Sequence, residues 1–454
     1  MSYKSINPAT QTLMKTYPVI SDNELLAKLE LSQSAFLRWE KESLGERLSM
    51  VKKLADLLME ERDIYASLIT SEMGKPITQS RAEIEKCALL CDYYAEQAET
   101  LLKPVSYISN ARRSYIRYDA MGVIYGVMPW NFPFWQVFRF FIPNIVLGNT
   151  TLLKHASNVP QCAEAIESIM LKARFPEGVF QNLFIDYRQS EDVISSKYVW
   201  GVTLTGSEGA GSRVAAAAGK HIKKTVLELG GNDPFIVLAD ADIDKAVESA
   251  IISRMQNAGQ SCIAAKRFII HHDVYDIFLS KYIEEVKKLK LGNPMDEDVF
   301  MGPLATTTLA KELEEQIAAS TKMGAKVLCG GRRLHEGSLF FMPTVLSDIS
   351  VDMPAYHEEI FGPVALMFKV KTIEEAVSLA NDTVFGLGAS VWTKDEKTAV
   401  EIAEKIRTGT VAVNAGVRSE PRLPFGGTKM SGYGRELGDL GLKEFANIKT
   451  INVF

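Results

Sequence analysis

A cysteine and a glutamate 34 positions apart carry the first chemical signal in this 454-residue chain. Cys262 lies in the segment 257–267, NAGQSCIAAKR, a tight polar turn in which a structural thiol would gain little. Glu228 lies in LELGGN, between leucines at the end of a β-branched run and just ahead of a double glycine. A thiolate is a strong nucleophile and a carboxylate can act as a general base, so the pair suggests covalent catalysis followed by activation of water. Each residue alone also reads as plain structure, the cysteine as a packing group and the glutamate as a strand end.

Two further segments extend the pattern. In MPWNFP, residues 128–133, the two prolines and the tryptophan make a stiff loop from which the Asn131 amide could donate to an oxyanion; alone, Asn131 is a turn residue. TGSEGAG, residues 205–211, follows an apolar strand and precedes a helix of small residues. Glycines there free the backbone to approach a pyrophosphate, and the helix N-terminus attracts negative charge. The spacing departs from GxGxxG, so an ordinary strand-to-helix turn reads the same way.

Stepping outward from these residues, the periodicity predicts helices over about 22–102, with Leu25, Leu29 and Phe36, then Leu48, Val51, Leu54 and Leu58, at helical spacing. From Met121 onward, short apolar runs alternate with amphipathic segments: GVIYGV, TLLK, WGVTLTG, KTVLEL and PFIVL. After Cys262 the alternation resumes with RFIIHH, AKVLCGG, PVALMFKV, GASVWT and GTVAVN. The expected class is α/β, a Rossmann-like dinucleotide-binding domain plus a second α/β catalytic domain and a small β oligomerisation element. The expected boundaries are 1–101 with 121–229 for the first, 230–425 for the second, and 102–120 with 434–454 for the third. That last element would pair with another subunit or fold back on its own domain.

Composition narrows the partners. A net charge of −5 leaves no basic footprint for nucleic acid. The polar N-terminus and the lack of an apolar run of about 18 residues predict neither an export signal nor a membrane span. Five cysteines, an odd number, fit a reducing compartment, so a cytoplasmic protein is expected. Cys87 and Cys91 lie one helical turn apart without a second ligand pair, and His271 with His272 reads as a strand-end surface pair, so no metal site is expected.

Taken together, MPWNFP, LLK at 152–154, LTGS at 204–207, LELGG, GQSC, EIFGP at 359–363 and PFGGTKMSGYGRE at 424–436 resemble the aldehyde dehydrogenase superfamily, in its order and over nearly the whole chain. The likeness is strongest to bacterial members acting on succinate semialdehyde. The resemblance implies Cys262 as nucleophile, Asn131 with the Cys262 amide as oxyanion donors, and Glu228 as base for thioester hydrolysis. It implies cofactor contacts from Trp130, Lys154, Ser157, Thr205, Gly206, Ser207, Leu229, Glu359 and Phe361. Some NAD-preferring members carry KPSE where this chain reads KHAS, so Ser157 replaces an acid that would repel a 2′-phosphate, and NAD or NADP is expected.

For the substrate, the resemblance implies Arg139 as the group that binds a distal carboxylate through paired hydrogen bonds, although an interdomain salt bridge is the alternative. Another arginine of some relatives is replaced by Gln256, Arg254 would point elsewhere, and Ser419, Arg418 or Arg422 could give the second contact. Phe132 and Trp135 would shape an apolar channel or belong to the core. The expected reaction is NAD(P)-dependent oxidation of succinate semialdehyde by a homodimer or homotetramer. The alternatives are an uncharged short aldehyde such as lactaldehyde or an aminoaldehyde, a cofactor-independent thiol esterase, and a non-catalytic binding protein.

Overall fold

Four helices, Asp22–Trp39, Leu44–Glu60, Arg62–Met73 and Ile77–Leu101, occupy the segment whose apolar residues recur at helical spacing. The first two begin at capping boxes, Ser21 with Glu24 and Ser43 with Glu46, each of which satisfies two otherwise free backbone donors. The computed structural model describes residues 2–454. Ahead of the helices stands a hairpin, Ser2–Asn7 with Thr12–Pro18, that the sequence reading did not foresee. Six of the seven residues in its second strand are exposed or nearly so, which left no apolar period to detect.

The alternating segments build two mainly parallel sheets. The first has six strands in the order Gly432–Tyr433, Lys224–Glu228, Val199–Thr205, Val123–Met128, Thr150–His155 and Phe180–Asn182, parallel except for the Gly432–Tyr433 edge. Its order reverses between Val123–Met128 and Val199–Thr205, neighbours in space but not in sequence. Such a switch point opens a crevice at the carboxyl ends of the strands, and both MPWNFP and TGSEGAG leave the sheet there.

The second sheet has seven strands in the order Lys326–Cys329, Thr344–Ser347, Val364–Val370, Ala265–His271, Asp233–Val237, Gly388–Trp392 and Thr410–Val413. Only the Lys326–Cys329 edge is antiparallel. The chain passes from Glu228, the last residue of a strand in the first sheet, to Asp233, the first residue of a strand in the second. Only Leu229 to Asn232 lie between them. The carboxyl ends of one set of strands therefore meet the amino ends of the other, and Cys262, just ahead of Ala265–His271, stands at that junction. A third sheet joins Ala446–Val453, Arg113–Ala120 and Val105–Tyr107, all antiparallel, so the tail pairs with the 113–120 segment of its own chain.

The helix Trp135–Leu147, which continues from MPWNFP, is buried along its whole length. Its entry is held by Glu83, whose carboxylate accepts from the amides of Phe134 at 2.9 Å and Trp135 at 3.0 Å. Glu83 is also ion-paired with Lys75, and both side chains are sequestered from water. Removing one member of a buried pair strands the other charge. Glu83→Ala is expected to cost ~3–5 kcal/mol of stability by chemical denaturation, and Lys75→Met combined with Glu83→Gln to cost less than the single alanine variant. Equal losses in the two would show that the ion pair does not anchor this helix.

Candidate active site

The turn carrying Cys262 is built from left-handed backbone. Asn257, Ala258 and Gly259 have φ of 54°, 52° and 72° in succession, an expensive geometry for the first two. It is held from three sides. The Asn257 amide nitrogen donates to the Asn131 carbonyl at 2.9 Å and to the Gln260 carbonyl at 3.1 Å, while its backbone N–H reaches Gln79 at 2.8 Å. Gln260 Oε1 accepts from the Ala305 amide at 2.9 Å. Glycine is required at 259, where a Cβ would collide with the Gly362 carbonyl.

Asn131 arrives on the other side of the thiol's loop. Its Nδ2 donates to the Gln260 carbonyl at 3.2 Å, and its buried Oδ1 has no partner. The MPWNFP loop is in turn pinned by His155, whose Nε2 lies 2.9 Å from the Pro133 carbonyl and whose Nδ1 accepts from the Ala156 amide at 2.9 Å. Burial pushes His155 down to about 4, so it stays neutral and serves as a fixed bracket.

Cys262 is partly exposed, in contrast to the fully buried Cys87, Cys91 and Cys162. Desolvation pushes its thiol up to about 11, and the charges of Arg139 and Lys266 work against that rise. Lys266 Nζ holds the Cys262 carbonyl at 2.7 Å and Glu359 at 3.0 Å, which ties the thiol's loop to EIFGP. Glu359 also accepts from the Gly231 amide at 3.2 Å. Arg254 is fully buried on carbonyls of the same EIFGP loop, donating to Ile360 at 2.9 Å and to Gly362. The expectation that Arg254 points away from the thiol agrees with this placement.

Glu228 ends its strand with both carboxylate oxygens buried and unpartnered. Burial, reinforced by the neighbouring Glu436, holds its carboxyl well above the usual range. A Cβ at Gly426 would fall 2.7 Å from Glu228 Oε1, so the PFGG glycine makes room for the acid. Arg139 is almost fully buried beside these groups, ion-paired with Glu436, 3.4 Å from Thr205 Oγ1 and 4.8 Å from the centre of the Phe425 ring. The sequence reading placed Arg139 as a guanidinium awaiting a substrate carboxylate. In the structure Arg139 is ion-paired with Glu436, the arrangement of the salt-bridge alternative.

The other expected substrate contacts fall into two groups. Ser419 and Trp135 meet, with Trp135 Nε1 donating to Ser419 Oγ at 3.0 Å. Phe132 is half-buried and stacks under Lys75 Nζ, 3.7 Å from the ring centre. Phe132, Trp135 and Trp130 pack in the same apolar cluster as Cys262. Arg422 is exposed and pairs with Glu420.

The cofactor expectations map onto the crevice at the switch point. Ser207 is exposed at the N-cap of the helix Glu208–Lys220 and makes no side-chain cap, so the first amides of this helix are open to an anion. Gly209 faces open space. Lys154 Nζ lies between the rings of Tyr3 and Tyr187, and burial lowers its affinity for a proton. Ser157 is exposed beside it, and its carbonyl accepts from Lys4 of the N-terminal hairpin. Trp130 and Phe361 meet edge to face with centres 5.9 Å apart. Thr205 and Leu229 lie deeper: Leu229 packs with Leu204 and Leu227 below Gly211, and Thr205 serves Arg139. These donors and the open helix terminus fit a dinucleotide. Glu436 was missed as a separate site group because it lies far from Cys262 in sequence, and Gln260 and Lys266, inside the NAGQSCIAAKR turn, because nothing local shows which distant groups they hold.

The aldehyde dehydrogenase family model matches residues 1–451. The chain is 47% identical over 451 residues to a Synechocystis sp. protein named probable succinate-semialdehyde dehydrogenase, NADP(+), covering 99% of each. It is 46% identical over 454 residues to succinate-semialdehyde dehydrogenase 1, NADP(+), of Mycobacterium tuberculosis strain H37Rv, again covering 99% of each. Among solved structures it resembles the succinic semialdehyde dehydrogenase of Streptococcus pyogenes in complex with NADP+, with a TM-score of 0.98, 40% identity and 99% of both chains covered. A loop-borne thiol at the junction of two parallel sheets, matched over essentially the full chain, makes this protein a member of the aldehyde dehydrogenase family.

Proposed function

We propose that the protein oxidises succinate semialdehyde to the dicarboxylic acid, with Cys262 as nucleophile, Asn131 as oxyanion donor and Glu228 as base. The observation that carries this reading is the convergence at one sheet junction of a partly exposed thiol, the Asn131 amide bonded to its loop, and a buried carboxyl without partners. The succinate semialdehyde named for the relatives supports the substrate.

The Cys262 thiolate attacks the aldehyde carbon, and the oxygen that gains charge is met by the Asn131 Nδ2 and the Cys262 amide. Lys154, Ser157, Ser207 and Glu359 would hold NAD(P)+, which would supply the hydride acceptor needed to take the Cys262 adduct to a thioester. Glu228 then takes a proton from water, whose oxygen adds to the thioester carbon and expels the Cys262 sulfur. A cofactor-independent esterase is disfavoured, since the chain retains an open helix terminus at the switch point. Lys154 beside an exposed Ser157, with no acid at that position, supports NADP as a cofactor alongside NAD.

The exposed Val105, Tyr107 and Ile448 of the three-stranded sheet, with Ile108 just beyond its edge strand, support a homo-oligomer joined through that sheet. Five free cysteines support a reducing, cytoplasmic setting, and among the described residues no helix is long and apolar enough to cross a membrane.

Cys262→Ser is expected to lower NADPH production on the order of 10³-fold or more, and Asn131→Ala to lower kcat by about 10²–10³-fold. Undiminished dinucleotide reduction in the serine variant would end this reading. With the thiol pushed up to about 11 and Glu228 also raised, the reactive ionised forms grow as pH rises. The kcat of the wild-type enzyme should therefore climb from pH 7 to pH 9 as the Cys262 thiolate grows, and a rate that stays flat across that window would count against Cys262 as the nucleophile. At the cofactor corner, Ser157→Glu should raise the KM for NADP by roughly tenfold or more relative to NAD, a repulsion of about 1.4 kcal/mol. An unchanged ratio would remove Ser157 from cofactor selection.

A further inference from the structure

Two carboxyl groups meet at the cofactor crevice, and only one of them has a counterion. Glu208 is the first residue of the helix Glu208–Lys220, whose leading amides are open to an anion. A Cβ on Gly230 would collide with both Glu208 Oε1 and Glu359 Oε2, so the first glycine of LELGG leaves the space in which the two acids approach each other. The Gly230 carbonyl is fixed by Ser431 Oγ, which donates to it at 2.6 Å. Glu359 uses Oε1 for Lys266 at 3.0 Å and for the Gly231 amide at 3.2 Å, and its Oε2 is the atom turned toward Glu208. Glu208 Oε1 is buried without a hydrogen-bond partner, and no ion pair among the described residues includes Glu208.

We propose that Glu208 carries a proton whenever a dinucleotide occupies the crevice, so that cofactor binding is coupled to proton uptake at this residue. This rests on the cofactor reading given above and adds to it a residue and a linkage. A diphosphate at the open helix terminus brings negative charge to the turn where Glu208 stands, and Glu359 already bears on that carboxyl across Gly230. Two carboxylates and a diphosphate then crowd around a single ammonium, Lys266. That ammonium is occupied by Glu359 and by the carbonyls of Ser261 and Cys262. Neutralising Glu208 relieves the repulsion without breaking any bond to Oε1, which has no partner. One proton passes from solvent to the Glu208 carboxylate, and no other bond is made or lost. The neutral acid also gains an O–H that can donate, which the ionised form lacks.

The surroundings already lean toward the protonated form before any ligand arrives. Burial raises the proton affinity of Glu208 first and the charge of Glu359 adds to it, while the amides of Glu208 and Gly230 and the charge of Lys266 oppose the rise. Asp233, buried beside Gly231 and pushed up to about 7 chiefly by burial, feels both Lys266 and Glu359. Cys262 feels the same two groups. The sign of the linkage follows from the direction of proton flow. Because binding takes up a proton, affinity for the dinucleotide falls as pH rises, by as much as about tenfold per pH unit where one proton is fully linked.

Calorimetric titration of the full-length protein with NADP+, in buffers of low and high ionisation enthalpy from pH 5.5 to pH 8, reads both Kd and the protons taken up. The wild type should take up more protons per dinucleotide bound than Glu208→Gln, and its Kd should rise more steeply with pH. At pH 8 the glutamine variant should bind NADP+ roughly threefold or more tightly than the wild type, the size of one charge removed from a helix N-terminus. At pH 5.5 the two should approach each other. The 2′-phosphate of NADP+ titrates at about 6, but it and Asp233 are common to both proteins, so the difference between them reports Glu208. Glu208→Ala should behave as the glutamine variant and serves in its place if that one does not fold. Equal proton uptake and parallel Kd profiles in wild type and variant overturn the role of Glu208 and leave the cofactor reading intact. A wild-type protein that does not bind NADP+ refutes the cofactor reading and this inference together.

Discussion

One buried guanidinium faces two buried carboxyl groups and a thiol, and the site is organised around that imbalance. Arg139 neutralises Glu436, yet its field also reaches Glu228 and Cys262. Taking an ion out of water costs several kcal/mol, and Arg139, with help from Lys266 at Cys262 and Arg435 at Glu228, offsets only part of that for the three acidic groups. Burial raises the thiol to about 11 and shifts Glu228 upward as well, so both groups resist ionisation. The wholly buried helix Trp135–Leu147 exists in this form because it must carry Arg139 into a region without water, and Glu83 with Lys75 holds its entry.

The meeting of two parallel sheets end to end supplies the geometry. A crossing from Glu228 to Asp233 is too short to permit much relative drift, so the acid at the end of one strand faces the turn that precedes another. The remaining precision comes from backbone carbonyls held by buried side chains. Arg254 grips EIFGP, Lys266 ties Cys262 to Glu359, and Asn257 ties the Asn131 loop to Gln260. Strain in the Asn257–Gly259 backbone is sustained by this overdetermined network.

Chemistry and recognition are kept apart in space and in solvation. Glu228 is buried and Cys262 only partly exposed, whereas Ser157 and Ser207 stand exposed at the crevice rim. Changes at the rim can alter which cofactor is accepted without disturbing the buried charges. Ser419 is buried, and its hydroxyl oxygen accepts from both Trp135 and Lys86.

By itself the sequence determined the α/β class, the helical segment before it, most strands of both sheets, and the loops that carry Cys262, Glu228, Asn131 and Ser207. These were legible because each is a local pattern: alternating apolar runs, glycine and proline punctuation, and a polar turn that a packing cysteine would avoid. The exposed N-terminal hairpin lacked such a pattern, and the three-residue Phe180–Asn182 strand was too short to display one. Only the tertiary structure decided that Arg139 belongs to Glu436, that Lys86 reaches Ser419 across 333 positions, and that Arg254 holds a loop more than 100 residues away. Pairings of charged side chains leave no periodicity in a sequence, since burial and approach decide them, and both arise only when distant segments pack.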